Sequence, residues 1–295
     1  MKRIIQISIT GGKGGTGKSF VATNLAILLA KKHDLLLADL DLEAPNDHVL
    51  LGIDKLHNKE DIKIFLPFID YKKCTLCGIC AKICDTGAIF MPPKNPPIVF
   101  PRLCSGCKAC YYACPYGAII EGGHVIAHSY LTIIRKFNVS FKLLTGILRP
   151  GEEHIPPGLA IIKRKARDLA KEILLIDTGA GAGSSISIAL QYSDLVIAVT
   201  EPTPLGLHDL ESILKIVNGL GYRAWVIINR YGLGPIDDHL KIMKMYGVEK
   251  YFKIPYSMDA IKSYIQGIPI VAYNPDSIVS KSFYDIYQVL EDEIL

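Results

Sequence analysis

Apolar runs alternate with amphipathic segments along most of the chain, and this alternation predicts an α/β fold. Residues 3–10 and 35–40 are apolar and rich in β-branched or leucine side chains, which is typical of buried strands. Between them, residues 20–32 carry apolar side chains at helical spacing. A strand, a helix and a second strand in this order predict a βαβ unit and a parallel sheet.

The same alternation returns in the C-terminal half of the chain. Further strands are predicted at residues 173–176, 195–200, 224–228 and 251–254. Helices are predicted at about 184–192, 205–219, 235–246 and 257–266, and an amphipathic helix over 277–295. Residues 131–162 receive no assignment. The fold class predicted for the chain is α/β, with a doubly wound, mostly parallel sheet flanked by helices.

The chain between residues 65 and 124 has a different composition, rich in Cys, Pro and Gly. Five prolines fall between Pro92 and Pro101, which argues against a continuous helix or a central strand there. All eight cysteines lie between Cys74 and Cys114. We therefore predict one discontinuous domain made of residues 1–64 and 125–295, with a small domain of residues 65–124 inserted into it.

The charge balance favours neither a nucleic-acid nor a membrane partner. A net charge of +4 over 295 residues provides no basic stripe of the kind that binds nucleic acid. No apolar run reaches the length of a membrane span, and the predicted C-terminal helix ends in acidic residues, where a membrane-surface helix is basic. The first apolar stretch ends in glycines and has no signal-peptide cleavage site, so we expect a cytoplasmic protein.

Residues 12–19 match the phosphate-binding pattern G-x₄-G-K-[ST], and they lie between a predicted strand and a predicted helix. The glycines let backbone N–H groups turn towards phosphate oxygens. Lys18 places a positive charge at the β- and γ-phosphates, and the Ser19 hydroxyl is a ligand for Mg²⁺. The nucleotide-binding residues predicted for this loop are Gly12, Lys13, Gly14, Gly15, Thr16, Gly17, Lys18 and Ser19.

Lys13 adds a family signature to this loop. The pattern K-G-G-x-G-K-[ST] resembles the deviant Walker A motif of the MinD/ParA/Mrp superfamily and of the related nitrogenase iron protein. The resemblance implies ATP or ADP and Mg²⁺ as ligands, and slow Mg²⁺-dependent ATP hydrolysis. It also implies a homodimer in which Lys13 reaches the nucleotide of the second subunit.

The resemblance extends to aspartates at strand ends. Asp39 and Asp41 follow the second predicted strand and match the first switch of the family, where the first Asp lies near Mg²⁺ and the second orients the attacking water. Asp177 matches the Walker B or second-switch aspartate. The resemblance thus implies Ser19, Asp39 and Asp177 at Mg²⁺, and Lys13, Lys18 and Asp41 as catalytic residues.

Residues near the C-terminus match the family's base-binding positions. Asn229 and Arg230 follow a predicted strand where the family places an Asn that reads adenine, and Pro255 fits the loop that closes over the base. The sequence Asn-Arg-Tyr-Gly differs from the Asn-Lys-x-Asp of GTP-binding proteins, so ATP is favoured.

One segment departs from the family pattern. Many relatives have Ser/Thr-Pro-Pro-Gly after the second-switch aspartate, whereas residues 178–183 read Thr-Gly-Ala-Gly-Ala-Gly. Glycines in place of prolines predict a more flexible backbone. How this loop relays the nucleotide state therefore stays open.

The cysteines form two runs of the pattern C-x₂-C-x₂-C-x₃-C, thirty positions apart. In bacterial ferredoxins three cysteines of one run and the last cysteine of the other hold each 4Fe–4S cluster. The predicted ligands are Cys74, Cys77, Cys80 and Cys114 for one cluster, and Cys84, Cys104, Cys107 and Cys110 for the other. Two zinc sites are the alternative, although zinc sites use cysteine pairs separated by longer spans. The inserted domain is accordingly expected to be a small α+β ferredoxin-like module.

The whole layout resembles MinD-superfamily ATPases with an inserted ferredoxin domain. It implies an ATP-hydrolysing iron–sulfur protein that couples nucleotide state to electron transfer, or to metallocluster assembly, in an unknown redox or metalloprotein partner. Three alternatives stay open: a cluster carrier of the Mrp type, a MinD/ParA-like partitioning ATPase, and a ferredoxin whose nucleotide fold no longer hydrolyses ATP. Mrp-type scaffolds use a C-x-x-C in the ATPase domain, and no cysteine lies outside the insert here.

Overall fold

The computed structural model describes residues 3–181 and 183–295. The strands are β1 (Ile5–Gly11), β2 (Leu35–Leu40), β3 (Lys59–Ile69), β4 (Ile89–Phe90), β5 (Ile98–Val99), β6 (Ile119–Lys136), β7 (Val139–Leu148), β8 (Ile173–Thr178), β9 (Leu195–Thr200), β10 (Ala224–Tyr231) and β11 (Lys250–Pro255). The helices are α1 (Lys18–Leu29), α2 (Asp47–Leu50), α3 (Ile79–Lys82), α4 (Ala109–Ala113), α5 (Ile155–Leu169), α6 (Ser184–Leu190), α7 (Pro204–Gly219), α8 (Asp237–Met245), α9 (Met258–Ile265), α10 (Ile270–Tyr273) and α11 (Ile278–Glu293). Among the described residues, no helix combines the length and the apolar character needed to cross a membrane.

The chain divides into two compact units. The first unit contains the residues up to Lys59 together with Ser129–Ile147 and Leu159–Leu295. The second unit contains Glu60–His128 and Leu148–Gly158. The predicted insert, residues 65–124, falls within the second unit. That unit also includes a return segment after β7, for which the sequence gives no signal.

A mostly parallel sheet forms the centre of the first unit, which confirms the predicted fold class. Its strand order is β11-β10-β9-β1-β8-β2-β7-β6. β1 lies between β8 and β9, β2 lies between β8 and β7, and all of these pairs are parallel. Apolar clusters lie on both faces, one with α1 and α11 and the other with α7 and α8. Burial on both faces explains why the strands read as continuous apolar runs.

This topology fixes where a ligand can bind. The C-terminal ends of β1, β2 and β8 meet at one edge of the sheet, because the three strands are adjacent and parallel. Open α/β sheets bind their ligands at this edge. The phosphate-binding loop leaves β1 there, and Asp39 and Asp177 lie at the ends of β2 and β8.

Residues 131–162, which carry no assignment from sequence, contain a hairpin and the start of a helix. β6 and β7 are joined by Phe137 and Asn138, whose φ angles are 56° and 57°. Two consecutive left-handed residues are typical of a type I′ hairpin turn, for which Asn-Gly is the usual sequence. Because Phe is uncommon in this conformation, the sequence does not mark the turn. β3 was not predicted either, because Pro67 interrupts its apolar run.

The second unit is small and built around the cysteines. β3 is hydrogen-bonded to β6, and β4 pairs with β5 in an antiparallel ribbon. Its core consists of Phe65, Ile69, Ile89, Ile119 and Cys110, with other cysteines packed against it.

Candidate nucleotide-binding site and cysteine cavities

The phosphate-binding loop connects the end of β1 to the start of α1. Gly15 and Gly17 have φ angles of 96° and 97°, a left-handed conformation that glycine adopts without strain. A Cβ on Gly17 would lie 2.2 Å from Asn229 Nδ2. Glycine at position 17 is therefore required by both the loop's conformation and its packing.

Lys18 begins α1 and is buried, with 6% of its surface exposed. Burial lowers the pKa of its amine, while the charges of Asp177, Asp41 and Asp209 raise it. An ammonium group with so little water around it interacts strongly with an anion that enters the site. The position suits a phosphate group at the N-terminal end of the helix.

Ser19 and the two strand-end aspartates lie together, as expected for a Mg²⁺ site. Ser19 Oγ donates a hydrogen bond of 2.6 Å to Asp177 Oδ2. Asp39 accepts backbone hydrogen bonds from Asp41 and Asp47, of 3.2 and 3.1 Å. Carboxylate oxygens of Asp39 and Asp177 lie within 4.8 Å of each other.

Asp47 is a functional candidate that the sequence analysis missed. It is fully buried, and its carboxylate lies within 4.8 Å of those of Asp39 and Asp177. Its position at the start of the four-residue helix α2 gave no signal, because that helix is too short to show periodicity. Three carboxylates in so small a buried volume repel one another, so a divalent cation would stabilise them.

The electrostatic cost of this arrangement appears in the pKa values. Burial, followed by the charge of Asp177, raises the pKa of both Asp39 and Asp47 well above the usual range. Burial likewise raises the pKa of Asp177 to about 7, although its hydrogen bond from Ser19 opposes the shift. Apart from the facing carboxyl groups, no donor in the described residues reaches Asp177 Oδ1.

The glycine-rich segment after Asp177 contacts the phosphate-binding loop directly. The N–H of Gly181 donates a 2.6 Å hydrogen bond to the carbonyl of Gly12, and Gly181 has a φ of 104°. A Cβ on Gly179 would lie 3.6 Å from Asp41 Oδ1. Ala182, in the same segment, lies outside the described residues. The segment that follows Asp177 thus contacts the phosphate-binding loop and lies close to Asp41.

Lys13 is exposed, and its backbone is fixed by Asp209. The Lys13 N–H donates a 3.1 Å hydrogen bond to Asp209 Oδ2. A Cβ on Gly12 would lie 2.1 Å from Asp209 Cβ, so the loop passes this side chain at close range. Asp209 lies in α7 and was not predicted as a site residue.

Asn229 and Arg230 also support the loop backbone. Asn229 Nδ2 donates to the Thr16 carbonyl at 2.9 Å, and its Oδ1 accepts from the Arg230 N–H. Arg230 Nη2 donates to the Gly15 carbonyl at 2.9 Å, and Nη1 pairs with Glu201. The role of Asn229 in reading adenine stays a prediction, because this geometry places its amide on the loop.

A cavity of about 340 Å³ opens beside the loop. It is lined by Gly14, Gly15, Gly17, Lys18, Ser19, Phe20, Asp41, Asn46, Asn229, Arg230, Ile254, Pro255, Tyr256, Ser257, Ala260, Ile261 and Tyr264. The lining combines the charged and polar side chains of Lys18 and Ser19 with the apolar or aromatic side chains of Pro255, Tyr256 and Tyr264. Such a lining is compatible with a ligand that has both a phosphate chain and an apolar, planar group.

The eight cysteines line two separate cavities in the second unit. One cavity is lined by the quartet Cys74, Cys77, Cys80 and Cys114, and the other by the quartet Cys84, Cys104, Cys107 and Cys110, each together with apolar neighbours. Each quartet therefore combines the first three cysteines of one run with the last cysteine of the other. All eight are free thiols rather than disulfides.

The backbone repeats between the two runs. Left-handed φ angles occur in pairs of residues thirty positions apart: Leu76 and Gly106, Gly78 and Lys108, Gly87 and Gly117. A left-handed φ is uncommon for Leu and Lys in proteins, so at Leu76 and Lys108 the two loops follow a path that the local residue types do not favour.

The thiols differ in their electrostatic environment. Burial raises the pKa of Cys110 to about 11. The pKa of Cys114 is lowered, because backbone N–H groups outweigh the opposite effect of burial, and the Ala118 N–H donates to its Sγ at 3.3 Å. The pKa of Cys84 is also lowered, because hydrogen bonds, above all the one with Thr86, outweigh the opposite effect of burial. The last cysteine of each run is thus the one whose thiolate the protein stabilises.

Comparison with known proteins assigns the chain to a family. Residues 7–270 match the family model described as the CobQ/CobB/MinD/ParA nucleotide binding domain. The chain belongs to this CobQ/CobB/MinD/ParA family. Family membership confirms the resemblance inferred from Lys13 and the phosphate-binding loop, and the parallel sheet confirms the P-loop fold.

Several known proteins resemble this MinD/ParA family member over most of its length. An uncharacterized protein of Methanocaldococcus jannaschii is 30% identical over 281 residues, covering 93% of this chain and 94% of the relative. An iron-sulfur cluster carrier protein of Pyrococcus abyssi is 24% identical over 310 residues, covering 98% of this chain and 86% of the carrier. Among solved structures, the septum site-determining protein MinD of Pyrococcus horikoshii, complexed with Mg-ADP, superposes with a TM-score of 0.60 at 19% identity, covering 98% of this chain and 96% of that one.

Proposed function

We propose that this MinD/ParA family member is a Mg²⁺-dependent ATPase that carries two 4Fe–4S clusters and uses its nucleotide state to control them. The observation that carries the proposal is the grouping of the eight cysteines into two quartets, each drawn from both runs and each around its own cavity. This cross-run grouping is the ligand pattern of two-cluster ferredoxins and differs from paired-cysteine zinc sites.

The nucleotide half of the proposal rests on the cavity beside the loop. Lys18 and the backbone N–H groups of the loop would bind the phosphates, and Tyr256 and Pro255 would contact the base. Ser19, Asp39 and Asp177 would hold Mg²⁺, whose positive charge would neutralise the phosphate oxygens. The hydrogen bond from Ser19 to Asp177, and the Oδ1 of Asp177, which accepts no hydrogen bond from a donor in the described residues apart from the facing carboxyl groups, fit such a cation.

Asp41 is the residue that would position the attacking water. It lines the cavity, while its Oδ1 accepts the Ala44 N–H at 3.1 Å and so has a fixed orientation. Lys13, exposed and near the start of the phosphate-binding loop, is available to the nucleotide of a second subunit, so we infer that the active form is a homodimer. Hydrolysis is expected to be slow until both subunits close on ATP.

Each cysteine quartet would hold one 4Fe–4S cluster, which supplies one-electron redox chemistry when bound. Cys84 and Cys114, whose thiolates are stabilised by hydrogen bonds, would be the ligands contributed by the opposite run. Such N–H···S contacts tune cluster potentials. The clusters would serve electron transfer or metallocluster assembly in a partner protein.

The order of residues along the chain supports coupling between the two halves. The first stretch of the second unit begins at Glu60, after Asp39 and Asp41, and its last stretch ends at Gly158, before Asp177. Its outermost two connections therefore lead towards segments that respond to nucleotide in switch ATPases. Any coupling is reciprocal: if ATP shifts cluster reduction, cluster reduction must shift ATP affinity by the same factor.

Cluster donation is the second candidate function. It is favoured by the alignment over nearly the whole chain with the Pyrococcus abyssi iron-sulfur cluster carrier protein. Mixing the loaded protein with an apo-ferredoxin and MgATP distinguishes the two candidates, because a carrier loses iron to the acceptor and a redox protein retains it.

The proposed function is tested on protein purified anaerobically. We expect about eight irons and eight sulfides per chain, and Mg²⁺-dependent phosphate release that Lys18→Ala abolishes together with ATP binding. Stoichiometric zinc without the visible absorption of iron–sulfur clusters would refute the cluster half. ATP binding unaffected by Lys18→Ala would refute the nucleotide half.

A further inference from the structure

Two histidines and a glutamate form a compact cluster in the second unit, apart from the cysteines. His124 Nε2 lies 2.6 Å from Glu152 Oε2, and His154 Nδ1 contacts Glu152 Oε1. The three ligand atoms all lie within 4.8 Å of one another. Nothing in the sequence brings these residues together, since His124 lies in β6 and the other two follow β7.

The rings are oriented so that their nitrogens converge. The two imidazoles meet edge to face, with centroids 6.2 Å apart, and each directs a nitrogen at the same carboxylate. Two imidazole nitrogens and one carboxylate oxygen form a ligand set preferred by divalent first-row transition metals over Mg²⁺ or Ca²⁺. Three protein ligands of this kind leave a further coordination position for water.

Glu152 is held in place by its own turn. Its Oε1 accepts the N–H groups of Glu153 and His154, at 3.0 and 3.3 Å. Hydrogen bonds of this type orient a ligand before a metal arrives. The turn is fixed to β6 because the Arg149 N–H donates to Ile126 and the Arg149 guanidinium donates to Val125.

The cluster is shielded but accessible. The side chains of Glu152 and His154 are 8% and 11% exposed, and that of His124 is 23% exposed. Water and a small ion can therefore reach the cluster along the His124 side. Such partial burial also strengthens electrostatic interactions within the cluster relative to a surface pair.

A metal ion bound by this histidine–glutamate cluster would stabilise the second unit. The second unit is assembled from two separate stretches of chain, and the cluster joins one stretch to the other. A small unit has a limited apolar core, and metals commonly supply the missing stability of such units. We propose that His124, Glu152 and His154 bind one divalent transition-metal ion, which fastens the 148–158 segment to β6.

The alternative is a metal-free tether in which both imidazoles hydrogen-bond to the carboxylate. Zinc is a suitable probe, because it accepts this ligand set and its amount can be measured beside iron. The full chain, purified anaerobically and freed of loosely bound metal with a chelator, is titrated with Zn²⁺ by calorimetry, and bound zinc is counted by mass spectrometry. We expect one tightly bound zinc per chain.

Variants locate the zinc. His124→Ala and His154→Ala should each weaken binding by more than about 100-fold, the upper range seen when only an outer-shell partner of a metal ligand is lost. His128→Ala is the matched control. It removes a histidine of the same strand whose Nδ1 lies 2.9 Å from Asp61 Oδ1, and it should leave zinc affinity unchanged. Equal affinity in all variants, or equal loss in the control, overturns the proposal.

X-ray absorption at the zinc edge of the wild-type protein decides the question without relying on variants. Two imidazoles and light oxygen ligands, with no sulfur, support the site. Sulfur scattering at about 2.3 Å would place the zinc on cysteines instead. Failure of the wild-type protein to retain zinc would show that His124, Glu152 and His154 form only a metal-free tether. Either result overturns the proposal without affecting the proposed nucleotide site.

Discussion

Ser19 Oγ donates a 2.6 Å hydrogen bond to Asp177 Oδ2, which joins the first turn of α1 to the end of β8. Asp177 in turn faces the carboxylates of Asp39 and Asp47. Four residues after Asp177, the N–H of Gly181 donates a hydrogen bond to the carbonyl of Gly12 in the phosphate-binding loop. We therefore expect a change at Asp177 to alter the phosphate-binding loop and the neighbouring carboxylates together, which is what sensing of the bound nucleotide requires.

Asp41 provides the most selective test of the hydrolytic site. Asp41→Asn should leave ATP affinity nearly unchanged, because an amide oxygen can still accept the Ala44 N–H. Turnover should fall by about 100-fold or more, as for loss of a group that activates the nucleophile. Equilibrium binding of a fluorescent ATP analogue and release of phosphate measure the two effects separately. Asp54→Asn, which alters an exposed aspartate, is the control, and equal turnover in the two variants would contradict the role of Asp41.

The buried carboxylates predict an unusual pH dependence for the protein without Mg²⁺. Since the pKa values of Asp39, Asp47 and Asp177 are raised in the folded state, that state retains protons which the unfolded chain loses above about pH 4. The free energy of unfolding should therefore fall as the pH rises from about 4 to about 7, the folded-state value for Asp177.

Chemical denaturation at pH 5.5 and 7.5, with EDTA and then with MgADP, measures this dependence. Mg²⁺ should restore most of the free energy of unfolding that is lost at pH 7.5, because it neutralises the charges of the buried carboxylates. Asp47→Asn should stabilise the metal-free protein at pH 7.5 and flatten the profile, while Asp54→Asn should do neither. A metal-free protein that is equally stable at both pH values would contradict the charge repulsion inferred here.

The cross-run grouping of the cysteines predicts reciprocal losses. Cys84→Ser should remove the cluster of the second run and spare that of the first, and Cys114→Ser should do the opposite. Iron should fall from about eight to about four per chain in each case. Electron paramagnetic resonance of the reduced variants identifies the surviving cluster. If both variants kept the same signal, the assignment of ligands between the runs would be wrong.

Replacing Arg230 should have a moderate effect on nucleotide affinity. It supports the loop through Gly15 and pairs with Glu201, but 45% of its side chain is exposed. Arg230→Ala should therefore weaken ATP binding by only about 1 kcal/mol, roughly fivefold. Arg223→Ala removes an arginine with two comparable carboxylate partners outside the cavity and is the matched control. An effect as large as that of Lys18→Ala would mean that Arg230 binds the nucleotide itself.

The central fold and the phosphate-binding loop could be predicted because their signals are local. The buried strands are continuous apolar runs, and the loop has a fixed spacing that places Lys18 and Ser19 at one helix terminus. The same holds for the first three cysteines of each run, which lie on one C-x₂-C-x₂-C loop, and the last cysteine of each run was assigned to the opposite quartet from the known ferredoxin pattern. For these features, the positions along the chain already determine the neighbours in space.

Other features depend on contacts between distant segments. Asp209 reaches the site from α7, and Asp47 reaches it from the four-residue helix α2. Neither residue lies within a recognisable sequence motif. The hairpin turn at Phe137 and Asn138 lacks glycine, so β6 and β7 gave no signal. His124 and Glu152 meet only because β6 and the return segment are brought together by the fold. Such sites could be found only from the structure.

The coupling of nucleotide state to the clusters is the central claim, and one measurement tests it most directly. The reduction potentials of both clusters are titrated by electron paramagnetic resonance in the same protein without nucleotide, with MgADP, and with Mg²⁺ and a non-hydrolysable ATP analogue. A coupling free energy of typical size, about 1–3 kcal/mol, predicts a shift of about 40–130 mV between the nucleotide-free and analogue-bound states. Potentials that are identical in all three states would contradict the coupling and leave two independent activities on one chain.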